Sequence, residues 1–236
     1  KGLDPNHLLL TRIHFAADSL YYAGNDIQAQ LKELTLQEQS GLKLVQTSGQ
    51  LLSNDQAISI PRLRLTTGNS TVELSASMDW AAAEARQTGA IRARLLAEIG
   101  KEDMMTLLAG QPETFVRQYP AEPLQLKAGI DGNLGRLQLT QLSLTLPSAF
   151  RATATGSIEL PLDSLRRKGE MSLALECGQL QFLQALTGGV LLPEGLALHG
   201  KASIDGPQTQ AHVQVMQAEQ ERMVLDAGYH LQREAY

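Results

Sequence analysis

The sequence predicts a mostly β fold, in which repeated antiparallel strands form an elongated, curled, groove-like sheet with short helices between some strands. The first observation behind this prediction is an internal duplication, because residues 89–132 return about eighty positions later as residues 169–206. The segment KAGIDG at 127–132, for example, matches KASIDG at 201–206. A period of this size is typical of stacked supersecondary units that share one apolar surface.

The second observation is the strict alternation of apolar and other residues, which is typical of strands that bury one face. The third is the turn chemistry between the alternating segments, such as Gly24-Asn25-Asp26 and Gly206-Pro207. The alternating residues are, in chain order, Leu8 and Leu10 with Ile13 and Phe15; Ile27, Ala29 and Leu31 with Leu34 and Leu36; Leu42 and Leu44 with Leu51; Ile58 and Ile60 with Leu63 and Leu65; and Leu137 and Leu139 with Leu142, Leu144 and Leu146.

In four places the alternation slips by one residue, in the order apolar, two others, apolar, one other, apolar. An unbroken strand would turn the later side chains to the opposite face after such a slip, unless a β-bulge absorbs the extra residue. A corner between two strands explains the slip equally well, and the sequence leaves both interpretations open. The four instances are Leu10/Ile13/Phe15, Leu31/Leu34/Leu36, Ile60/Leu63/Leu65 and Leu139/Leu142/Leu144.

Short helices are expected where the duplicated strands are interrupted. The spacing predicts amphipathic helices at 101–109 and 179–187, each followed by a glycine that suits a helix C-terminus. Further helical turns are predicted at 81–85 and 113–119. Glu98 and Glu176 recur at matching positions before these helices, and we interpret them as helix-capping carboxylates rather than as catalytic acids.

These elements divide the chain into modules. We expect residues 1–236 to be an internal segment of a longer repeat-built protein, because patterned sequence runs to both ends. The predicted modules are an N-terminal strand module at 7–56, repeat unit one at 57–132, repeat unit two at 137–206 and the start of a third unit at 210–236.

The residue chemistry disfavours several function classes. A net charge of -5 disfavours binding to nucleic acid, which needs clustered basic residues. No phosphate-binding loop, nucleophile elbow or metal-ligand spacing is present, so we predict no enzyme, no cofactor and no metal site. The single cysteine, Cys177, lies between apolar strand residues and is expected to be a packed thiol.

What remains is an extended, leucine-rich face of sheet, which must meet a second layer or a ligand. If the sheet curls without a covering layer, this face becomes a trough that can hold acyl chains, since each buried CH₂ contributes about 0.8 kcal/mol. The candidate residues for such a lipid groove follow the slips: Leu63, Leu65, Leu142, Leu144 and Leu146.

Three segments carry a resemblance to a known family. They are Leu124 to Gly132, Leu137 to Leu146 with the following AFRATATGSI at 149–158, and LDPNH at 3–7 leading into ADSLYY at 17–22. In strand pattern and glycine placement they resemble the AsmA/TamB superfamily of Gram-negative envelope proteins, in the style of the TamB-like translocation and assembly module proteins of Bacteroides-type bacteria.

The resemblance implies a long periplasmic protein that is anchored in the inner membrane by a helix outside this segment. It also implies a hydrophobic β-groove that serves phospholipid transport between the membranes or the assembly of outer-membrane proteins. The expected partners are phospholipid acyl chains and an outer-membrane assembly protein that contacts a region outside the segment. The alternative is a structural or adhesive β-repeat with a closed hydrophobic core and no lipid cargo.

Overall fold

The computed structural model describes residues 7–84, 88–108, 110–190, 193–218 and 220–230. Part of the 3–7 motif, residues 85 and 109 of two predicted helical segments, and the last six residues of the predicted third unit lie outside these described residues. The strands are β1 Leu10–Ala23, β2 Asp26–Glu38, β3 Lys43–Ser53, β4 Ala57–Thr67, β5 Thr71–Asp79, β6 Ile91–Ile99, β7 Leu124–Asn133, β8 Arg136–Leu146, β9 Phe150–Glu159, β10 Lys168–Cys177, β11 Leu196–Asp205, β12 Gln208–Gln217 and β13 Gln220–His230.

These strands form one antiparallel sheet in which the spatial order follows the sequence order from β1 to β13. Twelve spacings of about 4.8 Å give the sheet a length of roughly 58 Å across the strands. The accessible surface of the chain is 15391 Å², whereas a compact protein of 25.6 kDa exposes about 10,400 Å². The sheet is therefore open and elongated, and the predicted mostly β class with short helices is confirmed.

The four slips in the alternation are β-bulges within continuous strands. In β4, Ile60 pairs with Ala76 and Leu63 pairs with Leu74, so β4 contains one residue more than β5 between these pairs. The same irregularity occurs in β8, where the register shifts between Leu139 and Leu142. Register shifts also accompany the slips in β1 and β2. Each bulge keeps the later apolar residues on the original face, so the alternative of a corner between two strands is wrong.

Repeat units one and two contain the same order of elements. Unit one consists of β4, β5, β6 and β7, and unit two consists of β8, β9, β10 and β11. In both units the connection between the third and fourth strands is long and helical. It contains α1 Lys101–Leu107 and α2 Glu113–Gln118 in unit one, and a 3₁₀ helix at Gln181–Ala185 in unit two. A further 3₁₀ turn at Trp80–Ala82 lies within the Ala-rich connection between β5 and β6.

The beginning of α1 is held by the β4–β5 turn and not by Glu98. The N-terminal cap residue is Gly100, and no side chain caps it. Instead, the Gly100 N–H donates a hydrogen bond of 3.0 Å to Ser70 Oγ. The carboxylate of Asp103 in the first turn accepts hydrogen bonds from the hydroxyls of Ser70 and Thr67. The expectation that Glu98 caps this helix is therefore wrong, and Glu176 likewise does not cap the 3₁₀ helix.

The matching glycines of the two units, Gly132 and Gly206, are required for the same physical reason. Both residues have a positive φ, +136° and +56°. A Cβ at these positions would lie 2.2 Å from Arg136 O and 2.5 Å from Leu165 O, respectively. Each glycine therefore allows the chain to turn while another carbonyl group approaches it closely.

Replacing Gly132 with alanine is expected to lower the free energy of unfolding by roughly 1–3 kcal/mol, because strain in φ and the clash with Arg136 O act together. Urea denaturation followed by circular dichroism measures the change. Gly228→Ala is the matched control, since a Cβ there has no atom within 4 Å. Equal unfolding midpoints for the two variants would contradict this account of the glycine.

Candidate functional site: the apolar face

The strand register places apolar side chains on one face of the sheet across its whole length. Paired residues and every second residue along a strand share a face, except across a bulge. One row of paired residues crosses all thirteen strands and contains only apolar residues and glycine. The row is Ala17, Leu31, Gly49, Leu63, Leu74, Leu95, Ala128, Leu142, Ala154, Leu173, Gly200, Val213 and Leu225. We name this side of the sheet the apolar face.

A second row lies beside the first and has the same character from β4 to β13. It contains Leu65, Val72, Ala97, Leu126, Leu144, Ala152, Leu175, Leu198, Val215 and Met223. Of the five residues proposed from the sequence, Leu63 and Leu142 lie in the first row, and Leu65 and Leu144 lie in the second. They share a face, although four strand spacings, roughly 19 Å, separate the β4 pair from the β8 pair.

The apolar face is partly exposed along its length. Four of the leucines proposed from the sequence are half-buried, namely Leu63, Leu65, Leu142 and Leu144. Leu173 in the same face is 41% exposed. Towards the edges the exposure rises, since Phe15 of β1 is 64% exposed and Leu225 of β13 is 50% exposed. Ten hydrophobic residues are buried among those described, and only two of them, Ala97 and Ala154, lie in the two rows.

Seven of the other eight lie together at one end of the sheet, where the helical connections pack on the apolar face. We name this group the cap cluster: Met104, Phe115, Tyr119, Leu146, Ala149, Leu180 and Phe182. The aromatic rings of Phe115, Tyr119 and Phe182 contact one another with centroid distances of 5.4–5.8 Å. The cluster joins the helices of unit one to the 3₁₀ helix of unit two and closes this end of the apolar face over the central strands.

Leu146 belongs to the cap cluster and is fully buried. It is the last residue of β8 and follows Leu142 and Leu144 on the same face. Because the helices cover it, Leu146 has no exposed surface that a ligand could contact. The other four leucines stay candidate lining residues.

Cys177 lies at the capped end of β10, opposite Phe150, and packs against the cap cluster. Burial raises the pKa of its thiol, as burial also raises the pKa of the Tyr119 hydroxyl. The thiol therefore stays protonated near neutral pH, which agrees with the packed side chain expected from the sequence.

The alternation singled out only some of the strands on this face. The strands β5 to β7 and β9 to β13 continue both rows, but Ala, Gly and Met replace leucine at many of their positions. The signal was present in the sequence as small residues two positions apart, for instance Ala152 and Ala154 in β9. The contribution of Phe115 and Tyr119 to the cap cluster could not be found in this way, because it depends on a contact between distant segments.

No group of three or more histidine, cysteine or acidic residues that could hold a metal ion occurs in the part of the chain that the structure describes. Within the same residues, every helix is too short or too polar to cross a membrane. Comparisons of the chain with protein-family models, with curated proteins and with solved structures found no match.

Proposed function

We propose that the apolar face binds the acyl chains of phospholipids, and that the segment serves as part of a lipid conduit or assembly scaffold. The observation that carries the proposal is that the apolar face stays half-exposed across thirteen strands. Its two central rows contain no ionisable residue. A soluble protein rarely exposes so large a continuous apolar surface without a ligand or partner for it.

The dimensions of the face suit an acyl chain. On β8, the apolar-face residues from Leu137 to Leu144 pair with six residue steps of β9, because of the bulge, and span roughly 20 Å at about 3.4 Å per residue. One leaflet of a bilayer has a hydrocarbon thickness of about 15 Å, half of the usual 30 Å core. A chain of that length can lie along a strand, and each CH₂ that leaves water contributes about 0.8 kcal/mol.

The face is also long enough to act as a path. Its length of roughly 58 Å across the strands exceeds the 30 Å core of a membrane, so several lipids can bind side by side. The resemblance to the AsmA/TamB superfamily supports a setting in the periplasm. There the full-length protein is anchored in the inner membrane, and an outer-membrane assembly protein contacts a region outside this segment. No step of this function requires catalysis.

Native mass spectrometry of the gently purified protein tests the proposal. We expect mass additions that correspond to whole phospholipids, which disappear after delipidation and return when phospholipid is added. A protein that stays folded and takes up no lipid under either condition would contradict the proposal. It would favour a structural or adhesive repeat in which the apolar residues only stabilise the sheet.

A further inference from the structure

The opposite side of the sheet, which we name the polar face, contains two adjoining depressions over β4 to β8. Their volumes are about 510 and 590 Å³, and they share Pro61, Ser75, Arg94 and Thr140 as lining residues. Pro61 lies in the bulge of β4 and Thr140 in the bulge of β8. The depressions therefore lie between the matching bulges of the two repeat units. Bulges are over-represented next to functional sites in β-sheets.

Arg94 has no acidic partner among the described residues, although two carboxylates lie close to it along the neighbouring strands. Glu73 on β5 contacts Arg62 and Arg64, with N–O distances of 3.1 and 3.5 Å. Asp131 on β7 contacts Arg92 at 2.8 Å. Both carboxylates are thus already paired with other arginines. The region has four guanidinium groups and two carboxylates, which gives a local charge of +2 in a chain whose net charge is -5.

The residues around Arg94 provide space and hydroxyl groups. Arg94 pairs with Ser75 on one side and with Gly129 on the other. A Cβ at position 129 would lie 2.7 Å from Thr140 Oγ1, so this hydroxyl occupies space that only a glycine leaves free. Arg94, Ser75 and Thr140 thus line both depressions together, and Gly129 opposite Arg94 adds no side chain there.

The repeat itself does not require this arrangement. The residues of unit two that align in sequence with Arg94 and Gly129 are Ser172 and Ser203, and Ser172 pairs with Lys201 in the sheet. Unit two thus forms the same strands, β10 and β11, without an arginine opposite a glycine. The glycine makes room for Thr140 in the bulge of β8, whereas the arginine is specific to unit one and is not explained by the pairing of the strands.

We propose that this depression is a binding site for an oxyanion, namely the phosphate group of a ligand. Arg94 contacts the phosphate through its planar guanidinium fork, and the hydroxyls of Thr140 and Ser75 donate hydrogen bonds to its oxygens. On the β4 side, Arg62 and Arg64 share the single carboxylate of Glu73, so that side keeps a net positive charge. The site lies on the face opposite to the proposed acyl-chain surface and does not depend on that function.

Isothermal titration with pyrophosphate tests the site, and a second arm uses vesicles of phosphatidylcholine with and without phosphatidic acid. We expect saturable binding in one of the arms: pyrophosphate identifies a soluble ligand, and phosphatidic acid vesicles alone identify a lipid headgroup. Arg94→Gln is expected to weaken that binding about tenfold or more, because it removes a charged, bidentate contact. Arg94→Lys keeps the charge without the fork and should give a smaller loss.

Arg151→Gln is the matched control, because Arg151 is exposed on the polar face of β9 and lines neither depression. It should bind as tightly as the wild-type protein, and thermal denaturation should give all variants the same midpoint. Absence of saturable binding in both arms would overturn the proposal. So would equal weakening by Arg94→Gln and Arg151→Gln, since that result would reflect net charge alone.

Discussion

Replacing Phe182 with alanine is expected to lower the free energy of unfolding by about 3–5 kcal/mol. The side chain is 5% exposed and lies in the cap cluster, where its ring centroid is 5.7 Å from that of Phe115 and 5.4 Å from that of Tyr119. Removal of the ring loses the free energy gained from burying it, leaves a cavity and removes two aromatic contacts. Urea denaturation followed by circular dichroism measures the loss as a lower unfolding midpoint.

The effect should be large because the described part of the chain buries few other large side chains. Seven of its ten buried hydrophobic residues belong to the cap cluster, and the remaining three are alanines. Phe15→Ala is the matched control, since Phe15 is 64% exposed on the edge strand β1 and should cost under about 1 kcal/mol. If both phenylalanine variants shift the midpoint equally, the cap cluster is not the main source of stability.

The sheet could be predicted from the sequence because its structure is local. Each strand pairs with its neighbours in the sequence, so alternation and turn residues suffice to define strands and hairpins. The bulges could be expected for the same reason. Without a bulge, the slips at Ile60 and Leu139 would turn the following leucines to the polar face. The choice between a bulge and a corner needed the register, because both absorb one residue.

The features that the sequence did not reveal depend on contacts between distant segments. Phe115 and Phe182 are 67 positions apart and meet only because the helical connections of both units lie at the same end of the strands. Arg94 looks like any exposed strand residue until the register places Gly129 opposite it and Thr140 beside that glycine. Leu142 and Leu146 share one alternating pattern, and only the helices that cover Leu146 distinguish them.

This difference between Leu142 and Leu146 provides the strongest test of the apolar face. The double variant Leu142→Asp, Leu144→Asp is expected to fold and to lose at least about tenfold in affinity for phospholipid. Both side chains are half-buried, so the new carboxylates can keep contact with water. Charges on the two central rows, however, would have to be desolvated by an acyl chain, which costs several kcal/mol per unpaired group.

Leu146→Asp is the matched variant on the same strand and the same face. Leu146 is 0% exposed, so a carboxylate there would be buried without a partner among Leu180 and the other residues of the cap cluster. We expect this variant to unfold or to lose several kcal/mol of stability, whereas the double variant should lose only about 1–2 kcal/mol. Circular dichroism with urea denaturation, together with the uptake of a fluorescent phospholipid, separates the two effects.

The combination of results decides between an open face and a closed core. Retained folding with lost lipid uptake in the double variant supports acyl-chain binding on the rows that contain Leu142 and Leu144. Unfolding of the double variant to the same extent as Leu146→Asp would mean that these leucines act as a core, and it would contradict the proposed conduit. Retained folding with unchanged lipid uptake would place any lipid elsewhere on the protein, because two charges on the central rows cannot leave a bound acyl chain undisturbed.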